Sequence, residues 1–512
     1  MKKFIFLFSL LICSHFLFSQ VNKVPEKHSQ KGFAKIDFMS IDMPEFTIPN
    51  EANMGFAGIH YNIFLGDNFY SGLGIYGSVS GRRGGFFTLG FNAGYKKFLS
   101  DKLFIDTGFH FGGGGGAAAP DGGGAFILPH FNIGYNFKNF SVNTGWSYVN
   151  FFDDGLIKSH QLNFALEIPL DYDYTDYNNR ETEYTLKNLK KSEWNKKASN
   201  FSVMMHLNNL VTKGRSKNTF SPIYNLATIR LAGFEVASYF DKNWFAFLKV
   251  DGAFSGIPGG YMDVFFGTGY LLSFNKNRTN ILGKFAIGAG GGGGVDTKGG
   301  FLIYPDLSIE QKIFNDAYIS LNKGFVMSPN SDFYSESYGI GLKYYLEKDG
   351  IQSNLPNRET AKLKGLSIIL KQDLYFNAKR QTEPTEDLHQ ISLQINFDLT
   401  KNLFVAGQTS FANFGNAGAY AEGIVGFGLK SNPILNKTTS IFIQILGGAA
   451  GGGNISTGQG LIIKPSLGID YKLSNTVNFR AAGGYVKAYK GNLGSTFINL
   501  GINYNISFLK LK

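Results

Sequence analysis

Histidines and carboxylates at matched spacings are the places where this sequence could carry out chemistry. His110 and His130 lie about equally far from Pro120-Asp121, which we interpret as a hairpin turn. On paired strands both imidazoles would face inward and could hold a metal ion together. The corresponding positions elsewhere in the chain carry no histidine; they are Gly288 and Asp306, then Gly447 and Ser466. We therefore interpret the two histidines as polar interior residues and predict no metal or cofactor site.

A second grouping contains the residue types of a hydrolytic triad. His130, Asp306 and Ser466 occupy the same position in three copies of an internal repeat. A triad needs direct hydrogen bonds between its members. Residues that belong to different copies should lie too far apart to form them, so catalysis by this set is not predicted.

Two further groupings have simple structural interpretations. His160, Ser159 and Asp153-Asp154 are close in sequence, but polar residues cluster in loops for reasons unrelated to catalysis. Lys284 and Glu310 are expected to form an inward ion pair that serves packing. No catalytic residue is predicted from either grouping.

The elements that carry these residues recur three times. Asn68, Asn243 and Asn402 each open an alternating run, and 27 residues then align without a gap. Each copy has a small-residue patch and a later glycine run; the patches are Gly84-Gly85, Gly259-Gly260 and Gly418-Ala419, and the runs are Gly112–Gly116, Gly290–Gly294 and Gly451–Gly453. A period of about 160 to 175 residues makes the unit a whole domain. Because no helix pattern follows the runs, we interpret them as sites of strand bending and close strand approach, or as surface loops, and not as nucleotide-binding loops.

The final strand of each copy alternates in polarity. In the last copy the stretch Ile498–Phe508 places apolar residues such as Ile502 between polar or small ones such as Asn503. A strand with this period of two has one apolar and one polar face. Alternation alone does not show which face is outside.

The amino terminus predicts export. Lys2-Lys3 precede the apolar stretch Phe4–Phe18 and then Ser19-Gln20, as in a secretory signal peptide, here assigned to residues 1–19. Cys13 is the only cysteine, and its surroundings resemble a lipobox only faintly, so we favour cleavage near Ser19 or Gln20 over lipidation. Since no later stretch is long and apolar enough for a helical span, membrane insertion should occur through strands.

Long and short links alternate within each copy. The links between the first two strands are long, at Ser40–Asn53, Leu210–Ser221 and Asn377–His389, and the next links are short, at Gly66–Asn68, Asp241–Asn243 and Thr400–Asn402. Aromatic residues make up 15% of the chain, many near strand ends. Both features are typical of a transmembrane β-barrel with turns at one rim and loops at the other.

The predicted fold is all-β: transmembrane antiparallel barrel structure built from three eight-stranded repeats. The repeats are assigned to residues 33–172, 200–346 and 364–512, with polar linkers at 173–199 and 347–363. Helix-forming residues at Glu181–Ala198 allow a short periplasmic helix or a solvated linker. Three separate small barrels are favoured, with one 24-stranded barrel as the alternative, because the linkers are polar and each copy has its own terminal strand.

The leader and the alternating last strand resemble those of bacterial outer-membrane β-barrel proteins, and the leader ending Phe18-Ser19-Gln20 is similar to those of Bacteroidota. The ending Leu509–Lys512 departs from the usual aromatic last residue. The resemblance implies outer-membrane localisation, contact with membrane lipid and lipopolysaccharide, recognition by the barrel-assembly machinery, and possible envelope protein partners. It implies no named family.

Two function classes follow. A non-enzymatic barrel would act as a channel, a surface binder or a structural component of the envelope, and this class is favoured. The alternative is an enzyme that modifies lipid A or phospholipid, which needs a Ser/His/acid group near the outer rim. The net charge of +11 comes without a basic run that carries stacking aromatics, so no nucleic-acid partner is expected.

Overall fold

A computed structural model describes residues 24–45, 48–214, 216–218, 221–224, 228–257, 259–353 and 358–512. The expected leader at 1–19, with Cys13, lies outside the described residues, as does Pro356 of the second linker. In these ranges the chain is built almost wholly of antiparallel strands, which confirms the all-β prediction. None of the helices in the described ranges has the length and apolar composition needed to cross a bilayer.

The first barrel follows a short strand, β1 (His28–Gln30). Its eight strands are β2 (Gly32–Ile41), β3 (Met54–Phe64), β4 (Phe69–Ser80), β5 (Phe87–Phe98), β6 (Leu103–Gly115), β7 (Phe126–Asn136), β8 (Ser141–Phe151) and β9 (Lys158–Pro169). Each strand pairs with the next, and β2 also pairs with β9, so the sheet closes on itself.

The first connector contains β10 (Tyr172–Tyr174), a 3-10 turn at Tyr177–Asn179, β11 (Glu183–Thr185) and helix α1 (Leu186–Leu189). The helix expected over Glu181–Ala198 is therefore a single turn. Trp194 and Leu189 are fully buried in an apolar cluster with Leu363 and Leu509, which belong to the third repeat. The connector thus packs against the ends of the first and last strands of the third repeat.

The second and third repeats have the same eight-stranded plan. The second contains β12 (Ser199–Thr212), a small hairpin of β13 (Lys217–Asn218) and β14 (Ser221–Tyr224), then β15 (Thr228–Tyr239), β16 (Trp244–Ser255), β17 (Met262–Phe274), β18 (Thr279–Gly291), β19 (Phe301–Phe314), β20 (Ala317–Met327) and β21 (Tyr334–Lys348). The third contains β22 (Thr360–Ala378), β23 (Glu386–Asp398), β24 (Leu403–Phe414), β25 (Ala421–Lys430), β26 (Thr439–Gly451), β27 (Leu461–Lys472), β28 (Val477–Ala488) and β29 (Gly494–Leu511).

Strand pairing closes each of these repeats as well. β12 pairs with β15 on one side and with β21 on the other, and β22 pairs with β23 and β29. Among the described residues, the only strand pairing between the second and third repeats joins Lys348 of β21 to Lys510 of β29. The two sheets therefore meet at an edge. A single 24-stranded wall would instead join the last strand of one repeat to the first strand of the next.

The two faces of the strands are inverted relative to a soluble β-protein. In β29 the outward Ile498, Leu500 and Ile502 are 48%, 54% and 48% exposed, whereas the inward Asn499 and Asn503 are 2% and 0% exposed. This is the assignment of faces that membrane insertion requires, because the apolar side meets hydrocarbon and the polar side fills the interior.

Candidate functional site

The interior of the first barrel holds the histidines that the sequence singled out. His130 Nε2 lies 3.3 Å from Asp106, and Tyr70 donates a 2.8 Å hydrogen bond to the same carboxylate. His110 Nδ1 lies 2.6 Å from the side-chain oxygen of Asn92. The two imidazoles therefore have separate partners. Within the described residues no group of three or more His, Cys, Asp or Glu side chains is arranged to hold a metal ion.

Strand register corrects one alignment made from the sequence. His110 lies opposite Asn92 in the β5–β6 pair. The residues opposite the equivalents of Asn92 are Ala286 and Leu446, not Gly288 and Gly447. His110 is therefore a substitution at a position that is apolar in the other two barrels, which agrees with an interior packing role.

Further ionic pairs lie in the interior of the first barrel, beside a buried apolar cluster that includes Phe56, Phe126 and Phe151. Asp37 accepts a 2.8 Å hydrogen bond from Tyr76 and lies 3.1 Å from His60. Lys96 forms a buried ion pair with Glu167. Each of these side chains has a charged or hydrogen-bonding partner across the lumen, as buried polar groups require.

The second barrel shows that the expected Lys284–Glu310 pair is wrong. Lys284 lies 2.8 Å from Glu235 and 3.5 Å from Asp306, and Glu310 is bound instead by Lys343 at 2.9 Å. In the β18–β19 register Lys284 is opposite Asp306, and Glu310 lies four residues further along the strand. At about 3.3 Å per residue, this four-residue offset along the strand is too long for the Lys284 and Glu310 side chains to bridge.

The third barrel has a similar interior network. Lys464 lies 3.2 Å from Asp373 and 3.3 Å from Glu422, and Arg480 donates two hydrogen bonds to Asp470, at 2.7 and 3.1 Å. All five side chains are almost completely buried. Each barrel also holds a buried apolar cluster, so the interiors are packed by ion-pair networks and apolar side chains together, as the narrow lumen of an eight-stranded barrel allows.

The triad-like sets do not assemble. His130, Asp306 and Ser466 lie on β7, β19 and β27, which belong to three different barrels. Ser159 is buried and accepts a hydrogen bond from the Asp42 N–H, whereas its neighbour His160 points outward and stacks on an aromatic ring. Adjacent residues of a strand face opposite sides, so these two cannot act together.

The rim of the first barrel that carries the longer links, here called the loop rim, is joined by one buried arginine. Arg83 donates 2.6 Å hydrogen bonds to both carboxylate oxygens of Glu51, and it also binds the Ala117 and Ala118 carbonyls. Burial raises the pKa of the neighbouring Asp121 to about 7, although the Gly116 N–H and the Arg83 charge favour the ionised form. Three loops of this rim are thereby joined.

The three barrels pack against one another in a cyclic order. The third strand of each barrel contacts the fifth strand of the next: β4 contacts β18, β16 contacts β26, and β24 contacts β6. Phe87, Val264 and Phe411, one from each barrel, belong to one buried apolar cluster at this axis. The barrels are therefore arranged around a pseudo-threefold axis.

The small-residue patches and glycine runs are the two halves of this contact. Gly84 N donates to the Lys298 carbonyl at 2.7 Å, and Gly259 N donates to the Gly458 carbonyl at 3.2 Å. A Cβ atom added to Gly85 would lie closer than 3.0 Å to backbone of Gly292. The close approach expected of the glycines is thus between barrels as well as within them. We call this contact, formed by the patches and runs, the glycine junction.

Backbone conformation adds a second reason for small residues in the patches. Gly85 has a φ of +93° and Gly260 a φ of +114°, in the region that side chains disfavour. The third copy has Ala419 at φ 72° in the same position. The sequence signal was the threefold recurrence of these patches, but it could not show that the patch of one copy meets the run of another.

A cavity of about 1580 Å³ lies along the axis where the barrels meet. Its wall is formed mainly by outward-facing apolar side chains from all three barrels, including Leu73, Phe91, Leu248, Phe266, Leu370 and Val425. Gly85, Gly260 and Ala419 border it at the loop end, and Leu65 and Phe240 border it at the turn end. Ile502, on the outward face of β29, also lines this space. We call it the axial cavity.

Closed antiparallel barrels with apolar outer faces, polar interiors, short turns at one rim and longer links at the other belong to the outer-membrane type. The chain has the fold of a β-barrel of this transmembrane type. No protein-family model matches it, and no curated protein does.

Solved structures similar to this protein include OpdQ of Pseudomonas aeruginosa, with 8% identity, a TM-score of 0.22, and coverage of 94% of this chain and 98% of that one. The ferric enterobactin receptor PfeA of the same organism has 8% identity, a TM-score of 0.28, and coverage of 93% and 81%. At such TM-scores the fold and the membrane setting rest on the strand pairing and burial within the chain itself.

Proposed function

We propose that this protein is a non-enzymatic, non-conducting structural component of the outer membrane. The observation that carries the proposal is the filling of all three lumens by buried ion pairs, such as Lys343 with Glu310 and Lys464 with Glu422, and by buried apolar clusters. A solute channel needs a hydrated path, and charged side chains that neutralise one another inside a narrow barrel do not provide one.

The glycine junction supports the same role. It joins the three barrels into one membrane block, while the first connector and the ends of β22 and β29 form a packed apolar cluster at the turn side. Such a block offers rigid loops at one membrane surface and a folded platform at the other. We propose envelope proteins on the turn side as its partners.

Planar-bilayer recording of the refolded protein tests this function. We expect no conductance steps above those of protein-free membrane, with a purified porin in the same lipid as the positive control. Reproducible steps from protein that shows the heat-modifiable migration of a folded barrel would refute the non-conducting role.

The topology remains a prediction with its own test. The long links, such as Asn50–Asn53, should face the cell exterior, and the turn Asp241–Asn243 should face the periplasm. A tag placed at the first position should be accessible on intact cells, and a tag at the second should not. The reverse pattern would invert the orientation.

A further inference from the structure

The axial cavity requires an occupant. An apolar cavity of about 150 Å³ can hold a benzene-sized molecule, and the axial cavity is about 1580 Å³. Its wall is aliphatic and aromatic and offers few hydrogen-bond partners, so water would be held poorly. Left empty, the lining side chains would lose their dispersion contacts on one side.

The two ends of the axial cavity differ. At the loop end the glycine junction brings backbone against backbone, with Gly451 and Gly260 so close that a Cβ on Gly451 would lie within 3.0 Å of the Gly260 nitrogen. At the turn end Leu65 and Phe240 are 67% and 64% exposed. The cavity is therefore tightly bounded towards the loops and accessible from the turns.

Tyrosines mark that accessible end. Tyr61 donates a 2.8 Å hydrogen bond to the Leu170 carbonyl, and the hydroxyls of Tyr172 and Tyr504 lie 3.5 Å apart, linking the first connector to the third barrel. Tyrosine is favoured where hydrocarbon meets polar headgroups, because its ring is apolar and its hydroxyl is not. The turn end of the cavity thus has the chemistry of the headgroup level.

From these observations we propose that the axial cavity binds a phospholipid whose acyl chains enter from the turn side, the leaflet nearer the periplasm. Acyl chains match the apolar wall and are the apolar material that a bilayer supplies at this depth. Lipopolysaccharide on the loop side is separated from the cavity by the glycine junction. The choice of leaflet rests on the predicted topology; the presence of the lipid does not.

Filling the cavity tests the proposal. Gly407 and Gly423 face it from β24 and β25; a Cβ on Gly423 would meet no atom within 4 Å, and one on Gly407 would meet only Val425 at 3.9 Å. The double variant Gly407→Phe/Gly423→Phe should occupy the space with its own rings. Gly283→Phe is the matched control, because Gly283 also has open space around its Cβ but lies on β18 outside the axial cavity.

Each protein is incubated with vesicles of dioleoylphosphatidylethanolamine, purified through repeated detergent exchange, checked for heat-modifiable folding, and extracted for lipid mass spectrometry. Wild type and Gly283→Phe should retain a stoichiometric amount of phospholipid, and the double variant several-fold less. Wild type that loses its phospholipid to background, or a folded double variant that retains it fully, would overturn the proposal.

A second measurement works without any variant. A phospholipid with a diazirine near the end of its acyl chain, retained through the same exchange, should label Leu248 or Leu370 on illumination. Label confined to outer belt residues such as Leu307 would show that the retained lipid is annular and refute the axial site. Protein purified from its native membrane should carry phospholipid in the axial cavity. If it carries lipopolysaccharide there instead, the proposed source of the bound lipid is wrong.

Discussion

A single methyl group at the glycine junction should destabilise the protein measurably. Gly451 lies at the end of β26, where an added Cβ would lie within 3.0 Å of the Gly260 nitrogen and of the Gly259 carbonyl carbon. Both contacts are backbone atoms of another barrel, so no side-chain rotation can relieve them. Gly451→Ala should therefore force the second and third barrels apart or strain their strands.

The magnitude follows from the nature of the contact. Overpacking of a tightly packed site costs about 1–3 kcal/mol, and Gly451 carries no left-handed φ that would add backbone strain. Because the clash is between barrels, each barrel should still close and show folded migration on a gel. The loss should appear as a lower urea midpoint for the conversion of folded to unfolded protein in lipid vesicles.

Gly283→Ala is the control for this substitution. It adds the same methyl group to a barrel strand, but no heavy atom lies within 4 Å of the added carbon. Its urea midpoint should stay close to that of the wild type. Equal midpoints for Gly451→Ala and Gly283→Ala would show that the glycine junction is not a tight backbone contact.

Three further perturbations address the exposed apolar face of the strands, the barrel interiors and the loop rim of the first barrel. Leu307→Arg, at a side chain 60% exposed to the bilayer, should lower the free energy of unfolding by about 2–4 kcal/mol if it lies near the midplane; an unchanged folded yield in lipid would contradict the assigned face. Lys343→Met removes the ammonium group that neutralises Glu235 and Glu310. It should lower the free energy of unfolding by about 3–5 kcal/mol, measured by urea titration. An unchanged free energy of unfolding would show that these charges do not interact. The pKa of Asp121 is about 7 in the folded protein, against an ordinary value of 3.8 for this carboxyl. The folded state therefore holds the extra proton between those values, and stability should fall by up to about 1.4 kcal/mol per pH unit as pH rises through that window. Asp121→Asn should remove this slope in thermal melts, and a slope that persists would assign it to another group.

Strand faces and link lengths could be predicted because they depend on local sequence. The alternation from Ile498 to Tyr504 separates the two faces of β29, membrane insertion then requires the apolar face to point outward, and closely spaced Gly, Asp and Asn residues give the tight turns. These properties require no knowledge of which strands meet. The interior position of His110 and His130 followed from the same rule.

Contacts across a lumen or between barrels could not be predicted in this way. Lys284 pairs with Glu235 on β15, three strands away, and not with Glu310 on the adjacent strand. Which carboxylate it meets depends on barrel curvature and side-chain reach. The glycine junction depends on how whole barrels dock. A repeat in a sequence shows that three copies share a feature, but not that one copy's patch fits another's run.

The cyclic docking of third strand on fifth strand has a consequence for assembly. Such a contact is heterologous, and heterologous contacts form closed rings when the rotation between neighbours closes, as it does here after three barrels. In separate subunits a ring of this kind would depend on protein concentration and would require three identical protomers. Joined in one polypeptide, the ring forms at any expression level, and each member can carry different interior residues, such as His110 in the first, Lys343 in the second and Gln394 in the third. The chain is thus equivalent to a trimer with covalently linked barrels, and the barrel interiors can differ in sequence as long as the surfaces between the barrels stay alike.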